Sequence, residues 1–491
     1  MTPEHFDVLI IGAGLSGIGA GCHLAMRCPG KSFALLEARD SIGGTWDLFR
    51  YPGVRSDSDM HTLGYSFRPW LGAKAIADGP AILHYVRDTA KAYGVDSKIR
   101  FRHAVKRISW SSADAMWMVD AEQGVDRTPV RLTCGFLLSC SGYYDYSGGY
   151  TPEFPGVADY RGRLVHPQEW PDDLGYAGKQ VVVIGSGATA VTLVPALAGT
   201  AAHVTMLQRS PTYIVSRPAE DAFSNRMRRL LPPKLAYGVT RWRNVLLGMF
   251  FYNTARKQPE KFRAGVLKGV RAHLGRDYDV ATHFTPRYNP WDQRLCLSPD
   301  SDFFNAIRDG SASVVTDTIE RFTPDGLRLA SGTQLDADIV VTATGLRLVF
   351  MGGVEIVVDG KRIEPSSTMN YKGMMFSGVP NLAAVIGYTN ASWTLKADLT
   401  CEYVCRLLRH MDRRRLQSCV PVRSAEVAEA PFLNLDSGYV QRASDMMPRQ
   451  GTVAPWRLHQ NYARDLVTLR YGRVDDGTLV FTPGKREPAL A

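Results

Sequence analysis

The chain has 491 residues, of which 45% are hydrophobic and 22% charged, a composition typical of folded domains that excludes a disordered or fibrous protein. Its net charge of +10 comes from residues 221–276, which contain 13 Lys and Arg but only 2 Asp and Glu. The rest of the chain is nearly neutral, with 45 Lys and Arg and 46 Asp and Glu. This uneven distribution excludes a nucleic-acid footprint spread over the whole surface, and no nucleic-acid partner is predicted. Eight cysteines without a Cys-x-x-Cys pair exclude a disulfide scaffold. Since neither a signal peptide nor a spanning segment is predicted, the cytoplasm is the expected compartment.

A strand–loop–helix unit stands near the start of the chain. The apolar run Val8–Ile11 is typical of a buried parallel strand, and it leads into the sequence GAGLSG at 12–17 and then a helical stretch. In this pattern the glycines allow a tight turn, the close approach of a pyrophosphate and close packing of helix on strand. Glu37, 20 residues after Gly17, can accept both ribose hydroxyls of FAD or NAD. The predicted contacts of this site are Gly12, Gly14, Ser16, Gly17 and Glu37.

The same unit recurs from Gln180. The run VVVI leads into GSGATA at 185–190, and a helix and a second strand follow. This copy ends at Arg209 without a carboxylate, and an arginine can bind the 2′-phosphate of NADPH that a carboxylate would repel. The second site is therefore predicted to bind NADPH, although Arg209 as a solvated loop cation stays an alternative. The predicted contacts are Gly185, Ser186, Gly187, Ala188, Thr189, Ala190, Arg209 and Ser210.

Two such units predict an α/β fold with two Rossmann-like dinucleotide-binding domains, one for FAD and one for NADPH, and a helical insert. The predicted boundaries are 1–145 for the first part of the FAD-binding domain, 155–215 and 285–345 for the NADPH-binding domain, 216–284 for the basic helical insert, and 346–491 for the return to the FAD-binding domain and a C-terminal segment. The insert has an apolar centre between basic residues. That pattern fits a cap over the active-site cleft, which we favour, or peripheral contact with an anionic membrane through 221–276.

Two further segments carry the patterns of a known family. The segment YRGRLVHPQEWP at 160–171 resembles the fingerprint of Baeyer–Villiger monooxygenases, F-x-G-x-x-x-H-x-x-x-W-[PD], with Tyr160 in place of Phe. Residues 43–57 match that family's second pattern, [AG]-G-x-W-x4-[FY]-P-[GM]-x3-D, without departure. Longer strings such as MLQRSPTYIVS, YNPWDQRLCL and GYTNASWTLKADL resemble a subfamily that activates a thioamide drug, and this similarity covers essentially the whole chain.

The resemblance implies a FAD monooxygenase that uses NADPH and O2 to convert lipophilic ketones into esters or lactones through a flavin peroxide. Sulfoxidation of thioethers or thioamides is implied as a second activity. Arg294 would stabilise the anionic species of the reaction, and Asp57 would position that arginine. Relatives often carry a lysine before this arginine, where this chain has Gln293, so the preference for NADPH rests more heavily on Arg209.

Other residues receive roles from the same resemblance. Further FAD contacts would come from Gly44, Thr45, Trp46, Asp47, Asp57 and Val105, and a further NADPH contact from Arg55. The linker residues Tyr160, Gly162, His166 and Trp170 would couple domain movement to the reaction. No metal is predicted. Two alternatives stay open, namely an S- or N-oxygenating flavin monooxygenase without ketone activity and a non-catalytic FAD/NADPH redox sensor. The substrate, the regioselectivity and the oligomeric state are left undetermined by the sequence.

Overall fold

In the computed structural model, which describes residues 3–433 and 436–484, a nine-stranded mixed sheet carries the first glycine loop. The strand Glu4–Ile11 pairs in parallel with Phe33–Leu36 on one side and with Thr128–Ser139 on the other. Its second half, Val8–Ile11, is apolar in succession and buried because both faces of the sheet are covered there. In spatial order the strands are Lys361–Ile363, Glu355–Val358, His103–Ser111, Met116–Gln123, Thr128–Ser139, Glu4–Ile11, Phe33–Leu36 and Ile99–Arg100, with Leu382–Ala384 paired beside Thr128–Ser139.

A five-stranded parallel sheet carries the second glycine loop. Its central strand Gln180–Ile184 lies between His203–Gln208 and Ile339–Thr342. The outer strands are Ala312–Thr316 and Arg163–Val165. This arrangement places the second loop at the carboxyl end of the central strand, the position at which open α/β sheets bind nucleotides.

Smaller sheets and helices complete the part of the chain that the structure describes. One three-stranded sheet consists of Ile319–Thr323, Gly326–Leu329 and Gln334–Asp336. The two-stranded sheets are Ile214–Arg217 with Cys296–Pro299, Asn370–Tyr371 with Met375–Phe376, Leu416–Pro421 with Leu479–Pro483, and Glu429–Pro431 with Arg449–Gly451. The α-helices span Leu15–Arg27, Thr45–Leu48, Met60–Leu63, Gly79–Ala92, Ala188–Ala198, Ala222–Leu230, Pro233–Lys257, Pro259–Leu274, Val280–Phe284, Asp302–Arg308, Trp393–Arg414, Gly438–Ala443 and Tyr462–Asp465. A π-helix follows at Leu466–Tyr471.

The chain returns to the first sheet after the strand Ile339–Thr342. The strands Glu355–Val358 and Leu382–Ala384 join that sheet, and the long helix Trp393–Arg414 packs against Leu15–Arg27. The domain boundaries given above stay predictions. Their outermost ranges also include residues 1–2, 434–435 and 485–491, which lie outside the described residues.

The basic insert forms four helices, and the longest, Pro233–Lys257, packs on the first domain. The Tyr237 hydroxyl donates to the Tyr65 carbonyl oxygen at 3.0 Å, and the Arg241 Nη1 donates to the Gly64 carbonyl oxygen at 2.7 Å. No residue of 216–284, a stretch that the structure describes in full, lines either of the two cavities of the site described below. The insert therefore does not form the cap over the active-site cleft that we favoured from its sequence. Among the described residues, no helix combines the length and the apolar character needed to cross a membrane.

Candidate active site

One cleft of about 1340 Å³ has walls from both nucleotide-binding units. Its position at the two glycine loops follows from the parallel strands that lead into them, whose carboxyl ends face the cleft. Most residues predicted from the sequence line it, and these are Gly12, Gly14, Ser16, Glu37, Gly44, Thr45, Trp46, Arg55, Asp57, Val105, Gly185, Ser186, Gly187, Ala188, Thr189, Arg209, Ser210 and Arg294. Those that do not line it are Gly17, Asp47, Tyr160, Gly162, His166, Trp170 and Ala190.

The first loop is shaped by close backbone contacts. Gly12 has φ 98°, and a Cβ atom there would lie 2.7 Å from the Cys140 carbonyl oxygen. A Cβ atom at Gly17 would lie 1.9 Å from the Gly12 carbonyl oxygen, so this glycine lets the helix approach the strand. Gly17 thus acts from behind the cleft rather than in its wall. The space in front of the loop is left open for a pyrophosphate at the helix N-terminus.

The Glu37 carboxylate is held in place by the backbone. Its Oε2 accepts the Ala13 N–H at 2.7 Å and its Oε1 accepts the Arg39 N–H at 2.9 Å. Because each carboxylate oxygen has two lone pairs, both retain acceptor capacity toward the cleft. The geometry fits the two hydroxyl groups of an adenosine ribose.

Further residues of the first unit contact one another around the cleft. The Ser16 hydroxyl accepts the indole N–H of Trp393 at 2.7 Å. The Thr45 Oγ1 lies 3.4 Å from the Tyr146 hydroxyl, and Val105 lies at a bulge in its strand. Gly44 packs against the first loop, since a Cβ atom there would lie 3.0 Å from the Gly14 Cα. These contacts bring four separate segments of the chain together at the cleft.

Asp47 departs from its expected place. Its buried carboxylate lies behind the wall and forms ion pairs with Arg39 at 2.8 Å and Arg87 at 2.9 Å. The Ser41 hydroxyl donates to it at 2.5 Å. With both oxygens engaged, Asp47 fixes the segment after Gly44 in position and makes no wall of the cleft.

The second loop has the same turn and a more open front. Gly185 has φ 132°, and a Cβ atom there would lie 2.4 Å from the Ala343 carbonyl oxygen. At Gly187 a Cβ atom would meet no atom within 4 Å. Ala190 is fully buried and packs in the core behind the loop. The Ser186 hydroxyl donates to the Ser210 carbonyl oxygen at 3.0 Å, which ties the loop to the end of the next strand.

Two arginines of the predicted NADPH site differ in their surroundings. Arg209 is exposed at the rim of the cleft, and none of the described residues forms an ion pair with it. Arg55 is mostly buried and forms an ion pair with Asp302 through two of its nitrogens. The Arg55 charge is therefore neutralised within the protein, whereas the Arg209 charge is free to meet a phosphate.

Arg294 and Asp57 face each other in the cleft. The Arg294 Nη1 lies 3.9 Å from the Asp57 Oδ2, and the Arg294 Nε lies 3.5 Å from the Thr389 carbonyl oxygen. The open cleft leaves 38% of the Asp57 side chain accessible, yet the surrounding protein raises the pKa of this carboxyl group more than the two nearby arginines lower it. Burial alone would lower the pKa of Arg294, but Tyr143, Tyr439 and Asp57 outweigh it and raise that pKa. The guanidinium thus stays charged across the working pH range.

A small, mainly apolar cavity of about 30 Å³ adjoins the cleft at Arg294. Arg294, Tyr143 and Tyr439 belong to the walls of both spaces. The remaining walls of the cavity include Phe350, Met351, Ile386, Phe432 and Val440. A cation at the junction of an apolar cavity and a nucleotide cleft can polarise a carbonyl oxygen of an apolar ligand.

The fingerprint segment joins the two connections between the domains. The His166 Nε2 donates to the Gly345 carbonyl oxygen at 3.2 Å, while its Nδ1 accepts the Gln168 N–H at 3.1 Å. The Gln168 side chain donates to the Asp145 carbonyl oxygen at 2.8 Å. Asp145 lies where the chain leaves the first unit and Gly345 where it returns. The segment therefore links the outgoing and the returning connection between the two units.

The other three fingerprint residues contact neighbouring parts of the protein. The Tyr160 hydroxyl donates to the Ala337 carbonyl oxygen at 3.0 Å. A Cβ atom at Gly162 would lie 2.2 Å from that same hydroxyl, so glycine leaves room for the tyrosine. Trp170 packs edge-on against Tyr176 with ring centroids 6.5 Å apart.

Several residues of the site were not predicted from the sequence. Tyr143 and Tyr439 surround Arg294, Trp393 contacts Ser16, and Asp302 pairs with Arg55. Trp393 lies in the string GYTNASWTLKADL, which resembles the family, so this string could have identified Trp393 as a residue of the site. Tyr439 stands in no such pattern.

Comparison with known proteins places this site in a family. Residues 76–243 match the model described as flavin-binding monooxygenase-like, and residues 10–72 match the NAD(P)-binding Rossmann-like domain. The chain is 55% identical over 480 residues to the FAD-containing monooxygenase EthA of Mycobacterium tuberculosis, covering 97% of this chain and 98% of the relative. The chain belongs to the FAD-containing monooxygenase family. The family resemblance predicted from the sequence is thereby confirmed.

Solved structures agree with the fold of this monooxygenase. An oxidized steroid monooxygenase bound to NADP superimposes with a TM-score of 0.77 at 22% identity, covering 98% of this chain and 100% of that chain. An open form of cyclohexanone monooxygenase gives a TM-score of 0.73 at 21% identity, covering 86% of this chain and 91% of that chain. At such identities the similarity concerns the fold. The predicted α/β fold with Rossmann-like units and helices is confirmed.

Proposed function

We propose that this monooxygenase uses NADPH and O2 to insert one oxygen atom beside the carbonyl group of a lipophilic ketone. The products are an ester or lactone, NADP+ and water, so that one atom of O2 enters the product and the other is reduced. The observation that carries the proposal is the position of Arg294, which lies where the nucleotide cleft meets the apolar cavity. Ligand pockets are mostly apolar, and a few placed polar or charged groups in them fix the orientation of the ligand.

The residues of the first unit fit FAD. Glu37 would hold the adenosine ribose, the helix after Gly14 would receive the pyrophosphate, and Thr45, Trp46 and Val105 would flank the remainder. The tight turn at Gly12 supports this assignment, because a side chain there would meet the Cys140 carbonyl oxygen and displace the loop that lines the cleft. FAD, once reduced by NADPH, supplies the activated oxygen for the transfer.

The residues of the second unit fit NADPH. The open front of Gly187 leaves room for a pyrophosphate, and the free charge of Arg209 suits the 2′-phosphate. Arg55, expected as a further contact, would have to leave Asp302 before it could serve a phosphate. The proposal therefore assigns the recognition of NADPH mainly to Arg209.

Arg294 would act directly on the substrate. Its N–H groups can donate to the carbonyl oxygen of a bound ketone, where negative charge accumulates as the carbonyl carbon is attacked. A guanidinium stabilises this charge without giving up a proton, because its pKa is raised far above neutrality. Asp57 is a positioning residue, since its carboxylate limits the directions in which the guanidinium can turn.

Replacement of Arg294 tests the proposal. We expect Arg294→Ala to lower ester formation about 100-fold or more, as the loss of one stabilising donor does in other enzymes, while NADPH still reduces the bound FAD. Arg287→Ala removes an exposed arginine nearby and serves as the control. Ester formation that persists at the rate of the unchanged protein, measured by mass spectrometry over linear, cyclic and aryl ketones, would refute the role of Arg294.

Oxygenation of thioethers or thioamides is a second candidate activity. The apolar side chains where this cavity meets the cleft would favour it, because oxygenation of a soft sulfur atom needs no donor to a carbonyl oxygen. Sulfoxide formation should then survive Arg294→Ala better than ester formation does. Sulfoxide without ester in the unchanged protein would favour the S- or N-oxygenating alternative, and tight NADPH binding without any product would favour the redox sensor.

All eight cysteines are free and buried, which supports a reducing cytoplasm as the proposed location.

A further inference from the structure

The helix Pro233–Lys257 presents a row of large apolar side chains to solvent. Successive residues of a helix are about 100° apart, so positions 235, 239, 242, 246 and 250 fall within an arc of about 80°. The exposed fractions are 58% for Leu235, 43% for Val239, 43% for Trp242, 57% for Leu246 and 62% for Phe250. We call these five residues the apolar stripe. Single exposed apolar residues are ordinary, but a continuous row of them marks an interaction surface.

The opposite face of the same helix fixes how the stripe is presented. Tyr237, Thr240 and Ala255 are buried there against the rest of the protein. Arg241 is also buried, and its guanidinium donates to the His61 and Gly64 carbonyl oxygens at 2.9 and 2.7 Å. It also forms an ion pair with Asp398 at 3.5 Å. The helix therefore cannot roll to bury the stripe without breaking these buried contacts.

The chain on either side of the stripe is rich in cations. The neighbouring helices Ala222–Leu230 and Pro259–Leu274 belong to the segment 221–276, which has 13 Lys and Arg against 2 Asp and Glu. One of the two acids, Asp221, is already paired with Arg243 at 3.0 Å. The exposed cations that form no ion pair with the residues described are Arg226, Arg229, Lys234, Lys257, Lys261, Lys268, Arg271 and Arg276.

We propose that the apolar stripe and these cations form a docking surface for an anionic phospholipid bilayer. The apolar side chains would enter the boundary between headgroups and acyl chains, and the cations would lie against the headgroup phosphates. The helix would lie along the membrane surface, since none of the described helices is suited to cross it. This goes beyond the proposed oxygenation, which requires no membrane.

Charge complementarity selects lipid over the other occupants of such a surface. A second copy of the chain would bring two strongly positive segments face to face, and like charges across an interface are unfavourable. A nucleic acid would satisfy the cations but would leave the five apolar side chains exposed to water. An anionic bilayer satisfies both parts of the surface at once.

The docking helix also contacts the loop that carries Arg294. The Arg256 Nη1 lies 2.6 Å from the Asp292 Oδ1, and the rings of Tyr252 and Trp291 meet edge to face with centroids 5.4 Å apart. The helix thus connects the proposed membrane surface with the active-site loop. A lipophilic substrate dissolved in the bilayer would then be concentrated near the enzyme.

Sedimentation of the FAD-loaded protein with vesicles tests the proposal. We expect binding to vesicles that contain phosphatidylglycerol, little binding to pure phosphatidylcholine, and release at high salt, which screens the cations. The variant Leu246→Asp/Phe250→Asp should bind the anionic vesicles at least about 10-fold more weakly. Val125→Asp, at a residue that is 81% exposed on the other domain, is the matched control and should bind like the unchanged protein.

A charge-reversal variant separates the two halves of the surface. Lys257→Glu/Lys261→Glu leaves the stripe intact and should abolish the preference for anionic vesicles, while FAD content and oxygenation of a water-soluble substrate stay unchanged. If the stripe variant Leu246→Asp/Phe250→Asp loses its FAD, the vesicle binding of Lys257→Glu/Lys261→Glu alone tests the proposal. Equal binding of either variant and the unchanged protein would overturn the proposal. A second result would also overturn it. In that result the unchanged protein does not sediment with the vesicles, and light scattering gives a mass larger than the monomer for it but the monomer mass for the stripe variant, because the stripe would then join two copies.

Discussion

The two glycine loops share a sequence pattern but are built in different ways. In the first loop every glycine of the pattern faces protein atoms, down to 1.9 Å at Gly17. In the second loop the position equivalent to Gly17 is Ala190, whose methyl group is buried in the core, and Gly187 faces open space. The first loop is therefore defined by packing within the protein. The second needs its middle glycine only if a ligand comes close to it.

The residues that follow the two loops differ in the same sense. Glu37 is buried, and both of its oxygens accept backbone N–H groups, so its orientation is set before any ligand binds. Arg209 is exposed and has no ion-pair partner among the residues described. Such a difference suits a FAD that stays bound and an NADPH that enters and leaves in each cycle.

The largest effect is expected from the helix–strand contact of the first loop. Gly17→Ala forces a methyl group onto the Gly12 carbonyl oxygen, and we expect a loss of about 3 kcal/mol or more in unfolding free energy, with poor retention of FAD. Ala190→Gly in the second loop should cost about 2 kcal/mol, through lower helix propensity and the loss of one buried methyl group. Thermal or urea unfolding of both variants measures the difference. Equal losses would remove the distinction between the loops.

A smaller effect is expected at Glu37. Glu37→Gln leaves one acceptor oxygen for the N–H groups of Ala13 and Arg39 and also removes a charge-assisted acceptor for the ribose. We expect FAD affinity to fall about 30-fold, equivalent to about 2 kcal/mol. Titration of the apoprotein with FAD measures this, and the KM for NADPH serves as an internal control that should change much less. An unchanged FAD affinity would contradict the assignment of the ribose to Glu37.

A still smaller effect is expected at Arg209. Arg209→Ala should raise the KM for NADPH about 10-fold, equivalent to about 1.4 kcal/mol, and leave the KM for NADH unchanged, because only NADPH carries the 2′-phosphate. Arg217→Ala, which removes another exposed arginine of the same unit, is the matched control. If both nucleotides lose affinity equally, Arg209 does not read the phosphate.

The parts of the molecule that the sequence predicts are those that local geometry determines. The unit from Gly12 to Glu37 is contained in one stretch of chain, and its glycines specify the turn that the structure contains. The pairing of Arg294 with Asp57 joins distant segments, and only the family resemblance brought the two together. Composition could not tell a cap from a packed helix, because burial of Arg241 against the Gly64 carbonyl oxygen depends on the tertiary structure.

Other features of the site gave no local signal at all. A tyrosine in a loop, such as Tyr439, is recognisable as a neighbour of Arg294 only when the chain has folded. The partner of Arg55 is likewise an aspartate from a distant helix, Asp302. Asp47 shows the opposite case. This acid stands beside a cofactor motif and was predicted to contact FAD, but its carboxylate pairs with Arg39 and Arg87 behind the wall of the cleft. The sequence alone could not predict these contacts, because their partners come together only in the folded protein.

The smallest effect is expected at the joint between the two units, where His166 binds the returning segment at Gly345. Burial lowers the pKa of His166 below its ordinary value of 6.5, despite the opposing hydrogen bond to Gly345. The unfolded chain therefore takes up this proton at a higher pH than the folded protein. The stability contributed by the neutral ring is fully present above about pH 6.5 and is lost as the pH falls toward the lower pKa of the folded protein.

His166→Asn removes this titration but keeps an oxygen that can accept the Gln168 N–H. The variant should lose less unfolding free energy than the unchanged protein as the pH is lowered from about 7 to about 5.5, with a difference in slope below about 1.4 kcal/mol per pH unit. Other buried histidines titrate in both proteins and cancel in this comparison. Parallel pH profiles in urea unfolding would show that the ring is not held neutral between the two units. A shallower profile together with less product per NADPH consumed would show that the same contact both resists protonation and couples the units.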